Sequence, residues 1–294
     1  MDGMLNRTEK DLTEVVLARL DDAPDARFRQ VMTKLITHLH DLVRETGLTE
    51  AEWQSAIRFL TATGQKCDEN RQEFILLSDT LGLSMLVDAI NHRKPTGATE
   101  TTVLGPFHVA GAPELPNGAN IAEDVPGEPV YFSGKVMSPN GKPIPGATLD
   151  IWSTDGEGQY DVQRPGGKMR ARGRIKSDAN GRYAFWTIKP VSYPVPTDGP
   201  VGEMLLKMGR HPYRPAHTHM ILSAPGYEPV ATHLFVKGDP HLESDAVFAV
   251  KESLVVDFVS HEPGVAPDGR DVERTWWSVH YDFGLVETAS SVAK

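Results

Sequence analysis

The chain holds a single cysteine, Cys67, in 294 residues. It can form no internal disulfide, and it cannot build a zinc finger or a thiolate-held iron–sulfur centre. It has no surplus of positive charge: 30 Lys and Arg stand against 40 Asp and Glu, a formal net charge of −10. That balance opposes general binding to nucleic acid or to anionic membrane surfaces. No apolar run reaches membrane-spanning length, and the stretch Met1 to Lys10 lacks the apolar core of a signal peptide. Long internal repeats and low-complexity tracts are also missing. The expectation is a globular, cytoplasmic, small-molecule protein with no nucleic-acid or membrane partner, since a lone cysteine fits a reducing compartment. With 39% hydrophobic residues the chain can fill a full core.

What is present changes character along the chain. From Thr8 to about Arg93 the apolar period is helical. Phe28, Val31, Met32, Leu35, Leu39, Leu42 and Val43 follow the i, i+3, i+4, i+7 rule, with Pro24 suited to the first turn and Gly47 to the stop. Thr49 and Glu52 form a capping-box pattern ahead of Trp53, Ile57 and Leu60. Two shorter helices are expected over about 69–80 and 83–93. The composition then shifts near Lys94 to Thr101, and the run from Val103 to Gly127 reads as ordered loop able to cover a pocket.

Beyond Val130, short β segments alternate with turn signals, the pattern of an all-β sandwich or barrel. Expected strands are 130–137, 147–153, 173–177, 183–187, 216–222, 232–236, 254–258 and 276–281. The fold class is therefore mainly β with an all-α N-terminal part.

One stretch carries the strongest chemical signal: Arg214-Pro215-Ala216-His217-Thr218-His219. Residues i and i+2 of a strand share a face, with Cα atoms about 6.6–7 Å apart, a spacing that suits two imidazoles meeting one metal ion. Thr218 then points to the other side of the sheet. Arg214, in a Pro-flanked turn, can present a fixed guanidinium to negative charge on a ligand. Tyr160 follows a glycine-rich loop, and Tyr193 sits among stiffening prolines. Spacing alone does not separate these two from packing residues. A ferric ion favours hard anionic oxygen and holds phenolates, whereas zinc prefers thiolate, imidazole and carboxylate, and a ferrous oxygenase two histidines with one carboxylate.

The ordered set Gly158-Gln159-Tyr160, Tyr193-Pro194, Arg214-Pro215-Ala216-His217-Thr218-His219 and Ser223-Ala224-Pro225-Gly226 resembles the intradiol ring-cleaving dioxygenases, over nearly the whole chain. Phe74-Ile75-Leu76-Leu77-Ser78-Asp79, Thr102 to Phe107, Tyr193 to Gly202, and Gly238-Asp239-Pro240 followed by Ser244-Asp245-Ala246-Val247-Phe248 are similar to the hydroxyquinol 1,2-dioxygenase branch of that family. The resemblance implies a helical linker and dimerisation domain over 1–100 and a β-sandwich catalytic domain over 101–294. It implies one Fe(III) per chain, ligated by Tyr160, Tyr193, His217 and His219, with Tyr193 also accepting a substrate proton and Arg214 facing the bound ring. Leu76 and Asp79, the loop Val103, Leu104, Gly105, Pro106 and Phe107, and Val195, Pro196 and Val247 would line the pocket. His233, which stands where catechol-cleaving relatives commonly carry Gln, would line it too. The implied substrates are O2 and hydroxyquinol (1,2,4-trihydroxybenzene) or a related catechol or chlorocatechol. The implied assembly is a homodimer through the N-terminal helices, with a lipid able to occupy the interface.

Two other readings remain open on the residues. The turns Gly141-Lys142-Pro143-Ile144-Pro145-Gly146-Ala147 and Ser177 to Tyr183 also resemble small non-catalytic β-sandwich binding modules. His217, His219 and His233 with a carboxylate could instead form a zinc or ferrous site.

Overall fold

The computed structural model describes residues 8–288 except 10, 70, 165 and 167. By packing, the chain divides into two compact units at Ala62/Thr63. The helical series is α1 (Leu12–Ala18), α2 (Ala26–Thr46), α3 (Glu50–Gln65), α4 (Glu73–Thr80) and α5 (Leu83–Asn91). The expected long helix is α2, and Gly47 ends it in the left-handed conformation, φ 60°, which costs glycine little because it has no Cβ. Its start differs from expectation. Pro24 lies outside the helix and Asp25 caps it, accepting from the amides of Arg27 and Phe28, because a carboxylate answers unpaired N–H groups that proline only avoids adding to. The Thr49–Glu52 capping box forms as read, with Thr49 N donating to Glu52 Oε2 at 2.9 Å and Glu52 N to Thr49 Oγ1 at 3.3 Å. None of the described helices is long and apolar enough to cross a membrane.

The second unit is built on β1 (Pro129–Met137), β2 (Thr148–Ser153), β3 (Arg172–Lys176), β4 (Arg182–Ile188), β5 (Tyr193–Pro194), β6 (Tyr213–Arg214), β7 (His217–Ser223) and β8 (Val230–Val236). Shorter strands follow: β9 (Val255–Val256), β10 (Val259–His261), β11 (Gly264–Val265), β12 (Asp271–Val272), β13 (Trp276–His280) and β14 (Phe283–Gly284). One sheet runs β10-β13-β1-β14 with β4 also paired to β1, and the other runs β3-β2-β7-β8-β9. Their inner faces share one core. Val130, Phe132 and Phe185 from the first meet Leu149, Ile151, Ile175, Met220, Leu222 and Leu234 from the second, and Phe132 stacks on Phe185 with centroids 4.9 Å apart.

Of the expected strand over 254–258 only Val255–Val256 pairs, and Leu254 closes a 3₁₀ turn, Glu252–Leu254. A sixth helix, α6 (Pro200–Lys207), went unread, because eight residues between Pro/Gly-rich turns give too little period. It is held by the buried Glu73 of α4, whose Oε1 accepts from Val201 N at 3.3 Å, a carboxylate placed at a helix N-terminus where the dipole favours it.

The two-residue period of the second sheet decides what faces where. On β7, Thr218, Met220 and Leu222 belong to the core-facing row, so His217 and His219 look outward. The register places Trp152 opposite His219 on β2 and His233 opposite His219 on β8. A row of ring side chains therefore lies on the outer face of the sheet, where loops must cover it.

Candidate metal centre

Four donors from three separate segments converge on that outer face. Tyr160 Oη stands 3.2 Å from Tyr193 Oη and 3.5 Å from His217 Nε2. Tyr193 Oη is 3.4 Å from His217 Nε2, and the Nε2 atoms of His217 and His219 are 3.1 Å apart. All four residues are buried. Tyr160 arrives on the loop after β2 and begins a 3₁₀ turn, Asp161–Gln163, whose Gln163 side chain accepts from Tyr160 N at 2.9 Å. Tyr193 arrives on the short β5–β6 ribbon, which pairs it with Arg214.

The tautomer of His217 is set by its surroundings. Nδ1 lies 2.7 Å from the carbonyl of Pro215 and donates to it, leaving the Nε2 lone pair aimed at the cluster, as a backbone carbonyl commonly does for a metal-binding histidine. Burial, and then the neighbouring Arg214, hold His217 well below the usual histidine pKa. Burial and then His217 do the same for His219, and burial and then His219 for His233, so all three rings are neutral. Burial and the adjacent Tyr193 push the Tyr160 phenol well above its usual range. A bound multivalent cation reverses that preference, because its charge far outweighs the neighbouring dipoles. Two phenol oxygens and two Nε2 atoms, with His217 Nε2 3.1–3.5 Å from each of the other three and all four residues buried, fit a hard cation that accepts oxygen and imidazole nitrogen together. A ring nitrogen of His233 also lies within 4.8 Å of those of His217 and His219, yet no carboxylate joins this group among the described residues.

Comparison with known proteins places the fold and the site in one context. The family model described as a dioxygenase matches residues 103–286, and the one described as a catechol dioxygenase N terminus matches residues 25–99. The chain belongs to the intradiol dioxygenases. It is 53% identical to a 6-chlorohydroxyquinol 1,2-dioxygenase of Cupriavidus pinatubonensis, over 87% of this chain and 93% of that one. It is 50% identical to a hydroxyquinol 1,2-dioxygenase of a Rhizobium species, over 94% and 95%. The solved hydroxyquinol 1,2-dioxygenase of Pseudomonas putida superposes with a TM-score of 0.90 at 49% identity, covering 95% of this chain and 99% of that one. Catechol 1,2-dioxygenase of Acinetobacter radioresistens superposes at 0.82 with 26% identity, covering 97% and 95%.

In this dioxygenase the cover over the cluster comes from the loop read as ordered. Phe107 stacks on Tyr160 with centroids 4.5 Å apart. Gly105 has φ +76°, and a Cβ there would meet His219 Cε1 at 3.0 Å, so both backbone and space require glycine. The loop is stapled by Arg172, whose Nη2 donates to the carbonyl of Phe107 at 3.2 Å while its Nε donates to Asp161 at 2.7 Å. Beneath the site, Trp152 stacks on His219 with centroids 4.7 Å apart.

The remaining sequence-predicted residues divide. Leu76 and Val103 pack against the core that holds Val195 and Val247. Asp79 is buried and interacts with Ser84 and Arg214. Leu104 and Pro106 are exposed and Pro196 is half-buried. Arg214 is buried, with Nη1 3.2 Å from His217 Nε2 and 3.5 Å from Tyr193 Oη. Its Nε donates to Asp245 Oδ1 at 3.2 Å, and Nη2 is buried without a partner. Burial disfavours its charge, but Asp245 and the two phenols more than offset that and keep it cationic.

Trp152 carries no signal in the sequence, and Asp245, Asp239 and Thr102 stand there only inside stretches of family likeness, with no role of their own. Asp239 Oδ2 accepts from Ala216 N at 3.0 Å and from Ser192 Oγ at 2.5 Å, tying the residue before Tyr193 to the residue before His217. Only the Gly238-Asp239-Pro240 turn hinted at it, and a turn aspartate ordinarily bonds its own backbone.

Proposed function

We propose that the chain opens the ring of hydroxyquinol with O2 to give 3-hydroxy-cis,cis-muconate, the enol form of maleylacetate, using one Fe(III) held by Tyr160, Tyr193, His217 and His219. The observation that carries this is the convergence of two phenols and two neutral imidazoles on one dry point, in a chain whose family relatives are named for hydroxyquinol cleavage. Phenol donors weigh against zinc, and the lack of a carboxylate partner among the described residues weighs against the three-histidine alternative. On this reading residues 1–100 form the linker and dimerisation domain and 101–294 the catalytic domain, a division that the family-model limits at 99 and 103 support. The protein works in the cytoplasm as a homodimer whose interface has room for a lipid.

Each side chain has a task. Bound at the four donors, ferric iron supplies Lewis acidity that favours the doubly deprotonated ortho-diol. Tyr193 Oη is the protein oxygen placed to accept one of those protons. Pro215, through His217 Nδ1, keeps that imidazole's lone pair directed inward. Arg214, locked by Asp245, aims its free Nη2 and partly engaged Nη1 at negative charge on the substrate oxygens, in surroundings where water does not screen it. Asp79 offers a carboxyl to the third hydroxyl of hydroxyquinol, a group catechol lacks. The loop 103–107 excludes water.

Metal analysis, visible spectroscopy and oxygen uptake test the reading together. Purified protein is expected to be red to burgundy, with about one iron per chain, because ferric phenolates absorb intensely in the visible. Oxygen uptake should be faster with hydroxyquinol than with catechol. A colourless protein with stoichiometric zinc would overturn the proposal, and a preference for catechol would move it to the other branch of the family.

A further inference from the structure

His233 and Thr102 form a pair whose chemistry the four-donor site leaves unused. His233 lies in the row of rings across the sheet, its centroid 4.1 Å from that of His219 and 4.8 Å from that of His217. Its Nδ1 is 2.8 Å from Thr102 Oγ1. Its other nitrogen, Nε2, is buried with no hydrogen-bond partner. Thr102 is itself fixed, since its N–H donates to the carbonyl of Ala231 at 2.9 Å, two residues before His233.

Hydrogen-bond accounting decides which nitrogen carries the proton. Among the described residues the Thr102 hydroxyl has His233 as its partner and no other. If His233 Nδ1 donated to it, the hydroxyl proton and the Nε2 lone pair would both be stranded in a buried site. If the hydroxyl donates to Nδ1, the Nε2 N–H is stranded, and beside it only the spare lone pairs of a hydroxyl that is already hydrogen-bonded, a smaller loss than a ring nitrogen's one lone pair. Each stranded buried group costs about 1–3 kcal/mol, so the second arrangement is favoured. It leaves no lone pair on His233 free to bind a metal.

We infer that Thr102 fixes His233 as an Nε2–H donor into the reaction chamber, so that His233 is not a third imidazole ligand but a hydrogen-bond donor to an oxyanion of the bound diol or of reduced dioxygen. The pair rests on the ferric reading above for its substrate, and on its own geometry for its tautomer. His233 touches the reacting oxygens, and Thr102 is the positioning residue behind it.

The test compares wild type with Thr102→Val, Thr102→Ser, His233→Phe, His233→Gln and the double variant Thr102→Val/His233→Phe, with His217→Gln as the example of a lost ligand. All variants of the pair should retain about one iron per chain, whereas His217→Gln should lose it. Loss of one donor should lower kcat/KM for hydroxyquinol about 10-fold to 100-fold in Thr102→Val and His233→Phe. The double variant should fall little further, and Thr102→Ser and His233→Gln should recover most of the rate. In protein carrying ¹⁵N-histidine and loaded with diamagnetic gallium(III), His233 should show a protonated Nε2 and a bare Nδ1. Iron loss on changing His233 would make it a ligand and overturn the inference. Unchanged rates in His233→Phe would reduce it to packing, and a protonated Nδ1 would overturn the tautomer. Wild-type protein without iron or oxygen uptake would instead sink the ferric reading, and the nitrogen spectrum of the protein as purified would still decide the tautomer.

Discussion

The hydroxyl oxygens of Tyr160 and Tyr193 meet at 3.2 Å across 33 residues of chain, with both rings buried and their planes nearly perpendicular. Two buried phenols at that distance can share one hydrogen bond; Tyr193 Oη also accepts a long one, 3.5 Å, from Arg214 Nη1, and both oxygens face His217 Nε2. A cation is the simplest way to use both.

Removing either oxygen should therefore show in the colour first. Tyr160→Phe and Tyr193→Phe each delete one phenolate, and the visible band of the purified protein should lose intensity and shift. Turnover should fall about 10²-fold or more, the scale of a lost proton acceptor. Absorption spectra with metal analysis check this, and an unchanged spectrum in both variants would contradict the ligand assignment.

The Arg214–Asp245 pair links rate to stability. Arg214→Ala strands a buried carboxylate, so a loss of about 3–5 kcal/mol of stability is expected beside a fall in turnover of about 10²–10³ with iron still bound. Changing Asp245 to Asn as well, which removes the charge and keeps an acceptor for the amides of Val247 and Ala249, should restore much of the stability and none of the activity. Thermal unfolding and oxygen uptake separate the two effects.

Asp79 gives a dependence on pH. Burial, opposed by Ser84 and Arg214, raises its pKa, so its contribution to stability is fully present below the unfolded value of about 3.9 and is lost as pH rises through the folded one. Asp79→Asn keeps the neutral shape and should raise Tm at pH 7 while gaining nothing near pH 3. The ratio of kcat/KM for hydroxyquinol over catechol should drop about 10-fold in the same variant.

Asp239 holds two donor segments in register. Asp239→Ala frees both Ser192 and Ala216 N, and is expected to weaken iron retention about 10-fold with little change in overall fold. Iron release to a chelator, beside a circular dichroism spectrum, measures it. The loss should be reproduced in part by Ser192→Ala, which cuts one of the two ties.

The first unit carries its own prediction. Phe28, Val31, Leu35, Leu39, Leu42 and Val43 are all exposed along α2, an apolar stripe larger than a solitary helix ordinarily leaves in water. Light scattering at micromolar concentration should give a dimer, and Leu39→Glu should shift it toward monomer.

The amino-acid sequence by itself determined the features that depend on neighbours along the chain. The helical period of α2, the Thr49–Glu52 box, the Gly47 stop and the shared face of His217 and His219 all follow from local geometry, because 3.6-residue and 2-residue repeats need no distant partner. Only the tertiary structure decided what gathers around those histidines. Trp152 and His233 reach His219 through strand register, Tyr160 comes in on a loop and Tyr193 on the β5–β6 ribbon, and Asp245 reaches Arg214 from a segment 31 residues away. Such contacts are fixed by how the strands of the second sheet align and by which loops fold over its outer face. A residue that serves another across that distance, as Asp239 serves Ala216 and Thr102 serves His233, has no local pattern to mark it.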